Sequence, residues 1–170
     1  MGPDRMEPDS VGVDGQSDAD IRAILETTRR IALVGASARP WRPSHGVMRF
    51  LLECGYDVTP VNPGLAGQTI HDRPVVARLD AAAPLEMVDV FRNSAHVGGV
   101  VDDAIVLHAR VVWLQLGVID HQAAARARDA GIAVVMDRCP VIEARRLGLR
   151  LSGGASRAGP LAPSLGTTRH

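Results

Sequence analysis

The chain has 170 residues, enough for one domain with a substantial buried core. Its 19 basic and 19 acidic residues balance to zero net charge, which argues against a non-specific nucleic-acid binder, since that function needs a basic surface. Hydrophobic residues make up 46% of the chain, yet no apolar run approaches the ~18 residues of a membrane span. We therefore predict a globular protein that binds neither nucleic acid nor membrane.

The residue types present limit the chemistry further. The basic side chains are all arginine, so a phosphate held by a side-chain cation must be held by Arg, and a lysine P-loop or Schiff base cannot form. Cys54 and Cys139 lie far apart, and no Cys/His spacing is typical of zinc, so we predict reduced thiols and no metal. The N-terminus lacks the apolar stretch of a signal peptide, which predicts a cytoplasmic protein.

Helix and strand patterns alternate after a polar N-terminal segment. Residues 1–18 lack periodicity and are predicted to be disordered, and residues 150–170 are predicted to form a flexible tail, which leaves one domain at 19–149. Helices are predicted at residues 17–29, 44–55, 94–109 and 120–131. Strands are predicted at residues 30–35, 56–63, 85–92, 110–117 and 132–140, with at most a short strand in 68–79.

This alternation predicts an α/β fold, with a mainly parallel five-stranded sheet and helices on both faces. Ser44 and Ser94 are the predicted N-caps of two helices, and Trp113 is a predicted core residue. In such sheets a ligand binds outside the carboxyl ends of the strands. The residues that follow each predicted strand are therefore the candidate site residues.

The first predicted strand ends in a turn of small residues, "VGASARPWRPSHG". Gly35, Ala36 and Ser37 let a ligand approach the backbone, and the predicted helix after them offers unpaired N–H groups and a positive dipole end. Arg39 and Arg42 in the same loop can add bidentate phosphate contacts. A tight connection without a ligand is the alternative interpretation.

The second predicted strand ends at Asn62 and Pro63, where an NAD site normally carries an acidic residue for the ribose hydroxyls. The neutral Asn62 tolerates a phosphorylated ribose, and the chain also lacks the GxGxxG pattern in this region. Both observations argue against ordinary NAD binding. A simple Asn-Pro turn is the alternative interpretation.

Polar residues follow the later strands as well. Phe91 and Arg92 follow the third main strand, and Gln115 and Gly117 follow the fourth, so all four are expected at the same edge of the sheet. Arg92 as a surface ion-pair former is the alternative interpretation. Cys139 follows the fifth strand, and because nothing near it in the sequence indicates activation, we predict an ordinary thiol.

Five strand-end motifs, taken together and in order, resemble the small stand-alone CoA-binding proteins. Those proteins are similar to the CoA-binding, Rossmann-like domain of the succinyl-CoA synthetase alpha subunit. The resemblance covers residues 24–147 and implies a three-layer Rossmann-like fold that binds coenzyme A. The motifs are "VGASARPWRPSHGV", "VTPVNP", "VDVFR", "VVWLQLGV" and "VVMDRCPVIE".

The resemblance also implies a role for each strand end. Gly35, Ala36 and Ser37 would form the turn against the CoA pyrophosphate. Arg42 and Ser44 match the Arg-x-Ser of the family and would contact the phosphates.

The other matched positions would surround the rest of the ligand. Asn62 and Pro63 would border the adenosine. Phe91 and Arg92 would line the nucleotide side. Gln115 and Gly117 would lie near the pantetheine arm. Two residues depart from the family pattern: Trp41 stands where a polar residue is usual, and His45 where Tyr is common.

Three functions stay open at this point. The first and favoured one is a module that holds CoA or acyl-CoA without catalysis, because the phosphorylated-His domain and partner subunit of the synthetase have no counterpart here. The second is a small CoA- or NAD-dependent enzyme of the same fold. The third is a regulatory protein whose CoA state signals to a protein partner that the sequence does not identify.

Overall fold

The computed structural model describes residues 11–151. Its helices are α1 (Asp18–Thr27), α2 (Pro43–Glu53), α3 (Ser94–Val106), α4 (His121–Asp129) and α5 (Pro140–Arg146), with short 3-10 helices η1 (Pro63–Leu65) and η2 (Leu79–Ala82). Its strands are β1 (Arg30–Val34), β2 (Asp57–Val61), β3 (Thr69–Ile70), β4 (Arg73–Pro74), β5 (Met87–Val90), β6 (Val111–Leu114) and β7 (Ala133–Val135).

Five strands form one parallel sheet in the order β2-β1-β5-β6-β7, which confirms the predicted α/β fold. The strands β3 and β4 pair antiparallel in a small separate hairpin. The chain leaves β1 for β2 on one side and returns with β5 on the other side of β1. The switch point between β1 and β5 is where a sheet of this kind usually binds its ligand.

Residues alternate between two hydrophobic clusters along each central strand, because successive side chains of a strand point to opposite faces. In β1, Ile31 and Leu33 join the cluster that contains buried residues of α1, α2 and α5. Ala32 and Val34 join the cluster that contains buried residues of α3 and α4. Helices therefore cover both faces of the sheet in a three-layer arrangement. Within residues 11–151, none of the helices has the length and hydropathy to cross a bilayer.

The N-caps of two helices precede the predicted ones, by two residues in α2 and by one residue in α3. Arg42 is the N-cap of α2 and Asn93 the N-cap of α3, and neither caps the helix with its side chain. Pro43 takes the first position of α2, which suits a residue without an N–H, and Ser44 therefore lies inside the helix. Ser94 also lies inside its helix, where its Oγ accepts a hydrogen bond from a backbone N–H after β6 at 3.2 Å.

Residues 11–17 form a turn against the sheet, although the sequence predicts disorder there. The buried carboxylate of Asp14 accepts hydrogen bonds from the guanidinium of Arg138 at 2.9 and 3.1 Å and from the backbone N–H of Met136 at 3.0 Å. The contact joins residues 124 positions apart, so no local pattern indicates it. Residues 1–10 and 152–170, which hold the rest of the predicted disordered segment and nearly all of the predicted tail, lie outside the described residues.

Candidate ligand-binding site

A cavity of about 860 Å³ opens at the carboxyl end of the sheet. Its walls come from the loops after β1, β2, β5 and β6, from the first turns of α2 and from the start of α5. It therefore includes the switch point between β1 and β5. Ten of the twelve predicted site residues line it: Gly35, Ala36, Ser37, Arg39, Arg42, Ser44, Asn62, Phe91, Arg92 and Gln115.

The other two predicted residues lie outside this lining. Pro63 borders a second cavity of about 510 Å³ next to η2 and α3, and that cavity shares Gly35 and Arg92 with the first. Gly117 has a positive φ of 76°, and its N–H donates to Asp137 Oδ1 at 2.7 Å. Gly117 therefore shapes the loop after β6 rather than the cavity wall.

Gly35 allows the turn after β1 to pass close to the end of β5. Its φ is 85°, in the left-handed region, and a Cβ at this position would lie 2.8 Å from the backbone oxygen of Phe91. The N–H of Gly35 donates to the carbonyl of Val61 at 3.0 Å. Only glycine combines this backbone conformation with this close approach. The turn is thus held against both neighbouring strands of the sheet.

Asn62 ties the loops after β1 and β2 together. Its Nδ2 donates to the carbonyl of Ala36 at 2.8 Å, and its Oδ1 accepts from the N–H of Gly64 at 2.8 Å. Both polar groups of the side chain therefore have protein partners. The Asn-Pro turn that the sequence offers as an alternative is present, and Asn62 at the same time lines the cavity.

Three arginines supply uncompensated positive charge at the cavity. Arg39, Arg42 and Arg92 form no salt bridge with any acidic residue among residues 11–151. The ion pair considered for Arg92 from the sequence is thus not seen in the described part of the chain. Charge that is not paired within the protein raises the local concentration of anions, so the rim favours a negatively charged ligand.

The first turn of α2 adds a second feature that favours an anion. No side chain caps this helix, so the positive end of its dipole has no protein group opposite it. Ser44 is 4% exposed as a residue and lines the cavity, and its hydroxyl takes part in no hydrogen bond found within the range 11–151. A hydroxyl at the cavity wall without a protein partner can donate to a ligand oxygen.

The two residues that depart from the family pattern lie near this turn but outside the cavity lining. Trp41 is 74% exposed, and the Arg39 guanidinium lies 5.9 Å from the centroid of its ring. The ring of His45 contacts the ring of His71, with 4.1 Å between the centroids. Burial, together with the charges of His71 and Arg49, lowers the pKa of His45.

An amide and a thiol line the inner end of the cavity, and a fully buried carboxyl group is hydrogen-bonded to the amide. Gln115 is 5% exposed, and its Nε2 donates to Asp89 Oδ1 at 2.5 Å. Asp89 is fully buried, and burial raises its pKa to about 7 although the hydrogen bond from Gln115 opposes the shift. The thiol at this end of the cavity belongs to Cys139. Trp113 is buried, which confirms it as a core residue, and its Nε1 donates to the Arg138 carbonyl at 2.8 Å.

Sequence reasoning missed several residues that line this end of the cavity or support it from behind. Asp89 is a lone carboxylate within the apolar strand "MVDV", and that isolation was the available signal. Val47 and Val118 form apolar parts of the wall, and nothing in the local pattern distinguishes them from core residues. Cys139 was predicted to be an ordinary thiol, but its position at the cavity depends on the fold.

Residues 29–145, which include all twelve predicted site residues, match the family described as CoA binding domain. The chain belongs to the CoA binding domain family. This membership confirms the resemblance inferred from the five strand-end motifs. The CoA binding domain match also spans the whole five-stranded sheet and the cavity at its carboxyl end.

Relatives of this CoA binding domain support the fold over most of its length. The uncharacterized protein YneT of Bacillus subtilis is 35% identical over 123 residues, which cover 72% of this chain and 90% of that protein. The structure of a hypothetical protein from Pyrococcus horikoshii OT3 superposes with a TM-score of 0.76 and 39% identity, over 81% of this chain and 96% of that one. A Thermus thermophilus protein, cell-free ID.343, superposes with a TM-score of 0.72 and 36% identity, over 78% and 99% of the two chains.

Proposed function

We propose that this protein binds coenzyme A or acyl-CoA in the 860 Å³ cavity and acts as a binding module without catalysis of its own. The observation that carries the proposal is the arrangement of Arg39, Arg42 and Arg92, without acidic partners in the described residues, around the open turn after β1. A ligand with several phosphate groups complements that charge, and CoA carries a pyrophosphate and a 3′-phosphate monoester.

The pyrophosphate is assigned to the turn at Gly35, Ala36 and Ser37. Small residues there let phosphate oxygens approach the backbone, and the uncapped N-terminus of α2 faces the same space. Arg42 and Ser44 line the cavity at this helix end, so they are the proposed side-chain contacts to the phosphates. A guanidinium suits this role because it can donate two parallel hydrogen bonds to one phosphate.

The adenosine is assigned to the side of Asn62 and Pro63. The second cavity, of about 510 Å³, shares Gly35 and Arg92 with the first. A ligand bound at this turn can therefore extend into both cavities. Phe91 and Arg92 stand between the two cavities in this assignment. Asn62 supports the site through its tie to Ala36, and its neutrality avoids the repulsion that a carboxylate would exert on a 3′-phosphate.

The pantetheine arm is assigned to the inner part of the cavity, toward Gln115. Val47 and Val118 provide apolar surface along this route, while Gln115 provides a polar contact at its end. Apolar walls with few well-placed polar groups are typical of small-molecule sites. Gly117 is now proposed to act through the shape of its loop, because it does not line the cavity.

Calorimetric titration of the purified protein with CoA, and with NAD in a parallel run, tests the proposal directly. We expect CoA to bind with a dissociation constant of about 1 µM to 100 µM, a free energy of roughly −8 to −5.5 kcal/mol, and NAD to give no signal. Binding of NAD with no binding of CoA would overturn the proposal and favour the alternative of a nucleotide-linked enzyme. Dephospho-CoA in a third run measures the contribution of the 3′-phosphate.

A further inference from the structure

One of the two cysteines lies at the inner end of the proposed CoA cavity. Cys139 is the N-cap residue of α5, is 9% exposed and contributes to the cavity wall. It belongs to the hydrophobic cluster on the face of the sheet covered by α2, the helix whose N-terminus borders the phosphate turn. The thiol and the arginine-rich rim therefore belong to one continuous cavity.

The width of the sheet from β1 to β7 matches the length of the pantetheine arm. From β1 to β7 the sheet takes three steps, through β5 and β6. Three strand spacings amount to about 14 Å. The arm of CoA runs about twelve bonds from the pyrophosphate to the sulfur, and a chain of that length, extended like a polypeptide, spans roughly 14 Å. A CoA whose pyrophosphate lies at the turn after β1 thus reaches the end of β7 with its sulfur.

A second observation marks this end of the cavity as a place for a ligand. The side chain of Gln115 is nearly buried, and its Nε2 is used by Asp89. Its Oε1 forms no hydrogen bond within residues 11–151 and is not among the fully buried atoms, so it is open to the cavity that Gln115 lines. An amide oxygen at a cavity wall can accept a hydrogen bond from a ligand. The last amide N–H of the pantetheine arm, two carbons before the sulfur, is a donor of the required kind.

We propose that Cys139 is a site of reversible covalent attachment of CoA, formed by thiol–disulfide exchange with CoA disulfide. The thiolate of Cys139 attacks one sulfur of the bound CoA disulfide, a bond forms between the two sulfurs, and the CoA–CoA disulfide bond breaks. The proton of Cys139 goes to solvent, and the leaving CoA thiolate takes up a proton. The products are a Cys139–CoA mixed disulfide and one free CoA. This inference rests on the proposed function, because the nucleotide must bind at the turn.

The second cysteine provides a matched internal control. Cys54 is the C-cap residue of α2, at the end of that helix away from the phosphate turn, and it does not line the cavity. Burial, with a smaller effect of Glu53, raises the pKa of its thiol. The chain contains no other cysteine, so Cys54→Ser leaves Cys139 as the single thiol, and Cys139→Ser leaves Cys54.

The experiment incubates each single-cysteine variant with CoA disulfide and follows the intact mass over time. We expect the Cys54→Ser variant to gain one CoA, less two hydrogens, in a reaction that saturates with CoA disulfide and is reversed by reductant. The Cys139→Ser variant is expected to stay unmodified over the same time. Pantethine, the disulfide of pantetheine alone, lacks the phosphates. It should therefore react with Cys139 at least about tenfold more slowly at equal low concentration, because binding no longer positions the sulfur.

Three results would overturn the inference. They are an unmodified Cys139, a faster reaction at Cys54, and equal rates with CoA disulfide and pantethine. Titration of the reduced Cys139→Ser variant with CoA separates this failure from failure of the proposed function. If CoA binds that variant while Cys139 stays unmodified in the other, the binding module stands and the covalent site is rejected. If CoA binds neither variant, both proposals are rejected.

Discussion

The amide of Gln115 donates to one carboxylate oxygen of Asp89 at 2.5 Å, while the other oxygen, Oδ2, is buried without a hydrogen-bond partner in the described residues. The pair lies between the apolar centre of the sheet and the inner end of the cavity. A buried carboxyl group with one oxygen unsatisfied favours its neutral form, because the charged form cannot be solvated there. The protonation of Asp89 is therefore coupled to the stability of the fold.

Asp89→Asn should remove this pH dependence. Burial raises the pKa of Asp89 to about 7, so the folded state binds the extra proton and stability from this group falls as the pH rises from about 4 to 7. At pH 8 the variant should be more stable than the parent by at most about 4 kcal/mol, and the difference should shrink toward pH 5. Urea denaturation of both proteins at pH 5 and pH 8 measures this. A difference that is the same at both values contradicts the assignment.

Arg42→Ala should weaken CoA binding by about 1.5–3 kcal/mol, the range for a hydrogen bond to a charged group. Arg42 lines the cavity and forms no ion pair within residues 11–151, so its loss should leave the free energy of unfolding nearly unchanged. Arg49→Ala is the matched control, since Arg49 belongs to the same helix but pairs with Glu53 on an exposed face. Calorimetric titration of both variants gives the comparison. Equal affinities would remove Arg42 from the site.

Asn62→Asp should weaken binding of CoA more than binding of dephospho-CoA, if the 3′-phosphate lies on this side of the turn. The substitution also removes the donor to Ala36, which would disturb the turn for both ligands. Asn62→Ala serves as the control, because it loses the hydrogen bond to Ala36, and also the one from Gly64, without adding a charge. We expect Asn62→Ala to affect both ligands alike and Asn62→Asp to affect CoA further. Equal losses for the two ligands in Asn62→Asp would place the 3′-phosphate elsewhere.

Gly35→Ala should destabilise the fold by about 2–4 kcal/mol, the sum of a left-handed backbone cost and a steric overlap. A Cβ at Gly35 would lie 2.8 Å from the backbone oxygen of Phe91, the residue directly after β5, whose N–H donates to the carbonyl of Val34 at 2.8 Å. Gly46→Ala is the control, since Gly46 lies within α2 and a Cβ there meets nothing within 4 Å. That control should be neutral or slightly stabilising. Urea denaturation compares the two, and a parent-like Gly35→Ala variant would refute the packing argument.

Asp14→Asn should cost about 1.5–3 kcal/mol of stability, because it removes charge-assisted hydrogen bonds to Arg138 and leaves Glu143 as the remaining acidic partner of that guanidinium in the described residues. Burial alone would raise the pKa of Asp14, but the hydrogen bonds from Arg138 and from two backbone N–H groups outweigh it and hold that pKa below its usual range. The stabilisation is therefore present above the unfolded pKa and is lost as the pH falls through the lowered one.

Asp102→Asn is the matched control for this ion pair. Asp102 pairs with Arg126 on the surface, so its loss should change the free energy of unfolding by less than about 1 kcal/mol. Thermal or urea denaturation at pH 7 compares the two variants. Similar small effects at both sites would show that residues 11–17 contribute little to the fold.

The local pattern of the chain was enough to predict the fold class and most of the cavity wall. Apolar runs such as that of β1 alternate with amphipathic helices, and this order alone implies a parallel sheet whose carboxyl ends meet at one edge. Residues that follow strands, such as Gly35, Asn62 and Arg92, could therefore be assigned to one site before any contact was known. Helix starts were predicted less precisely. Pro43 occupies the first position of α2, so Ser44, the predicted N-cap, lies inside the helix.

Contacts between distant segments were decided by the tertiary structure. Asp14 meets Arg138, and Gln115 meets Asp89, only because the strand order brings β5, β6 and β7 together and the N-terminal turn packs beside them. Cys139 became a cavity residue for the same reason. The sequence by itself determined which residues stand at strand ends, because periodicity is a local property. Burial and pairing depend on which elements become neighbours, and that is settled only when the whole sheet packs against its helices.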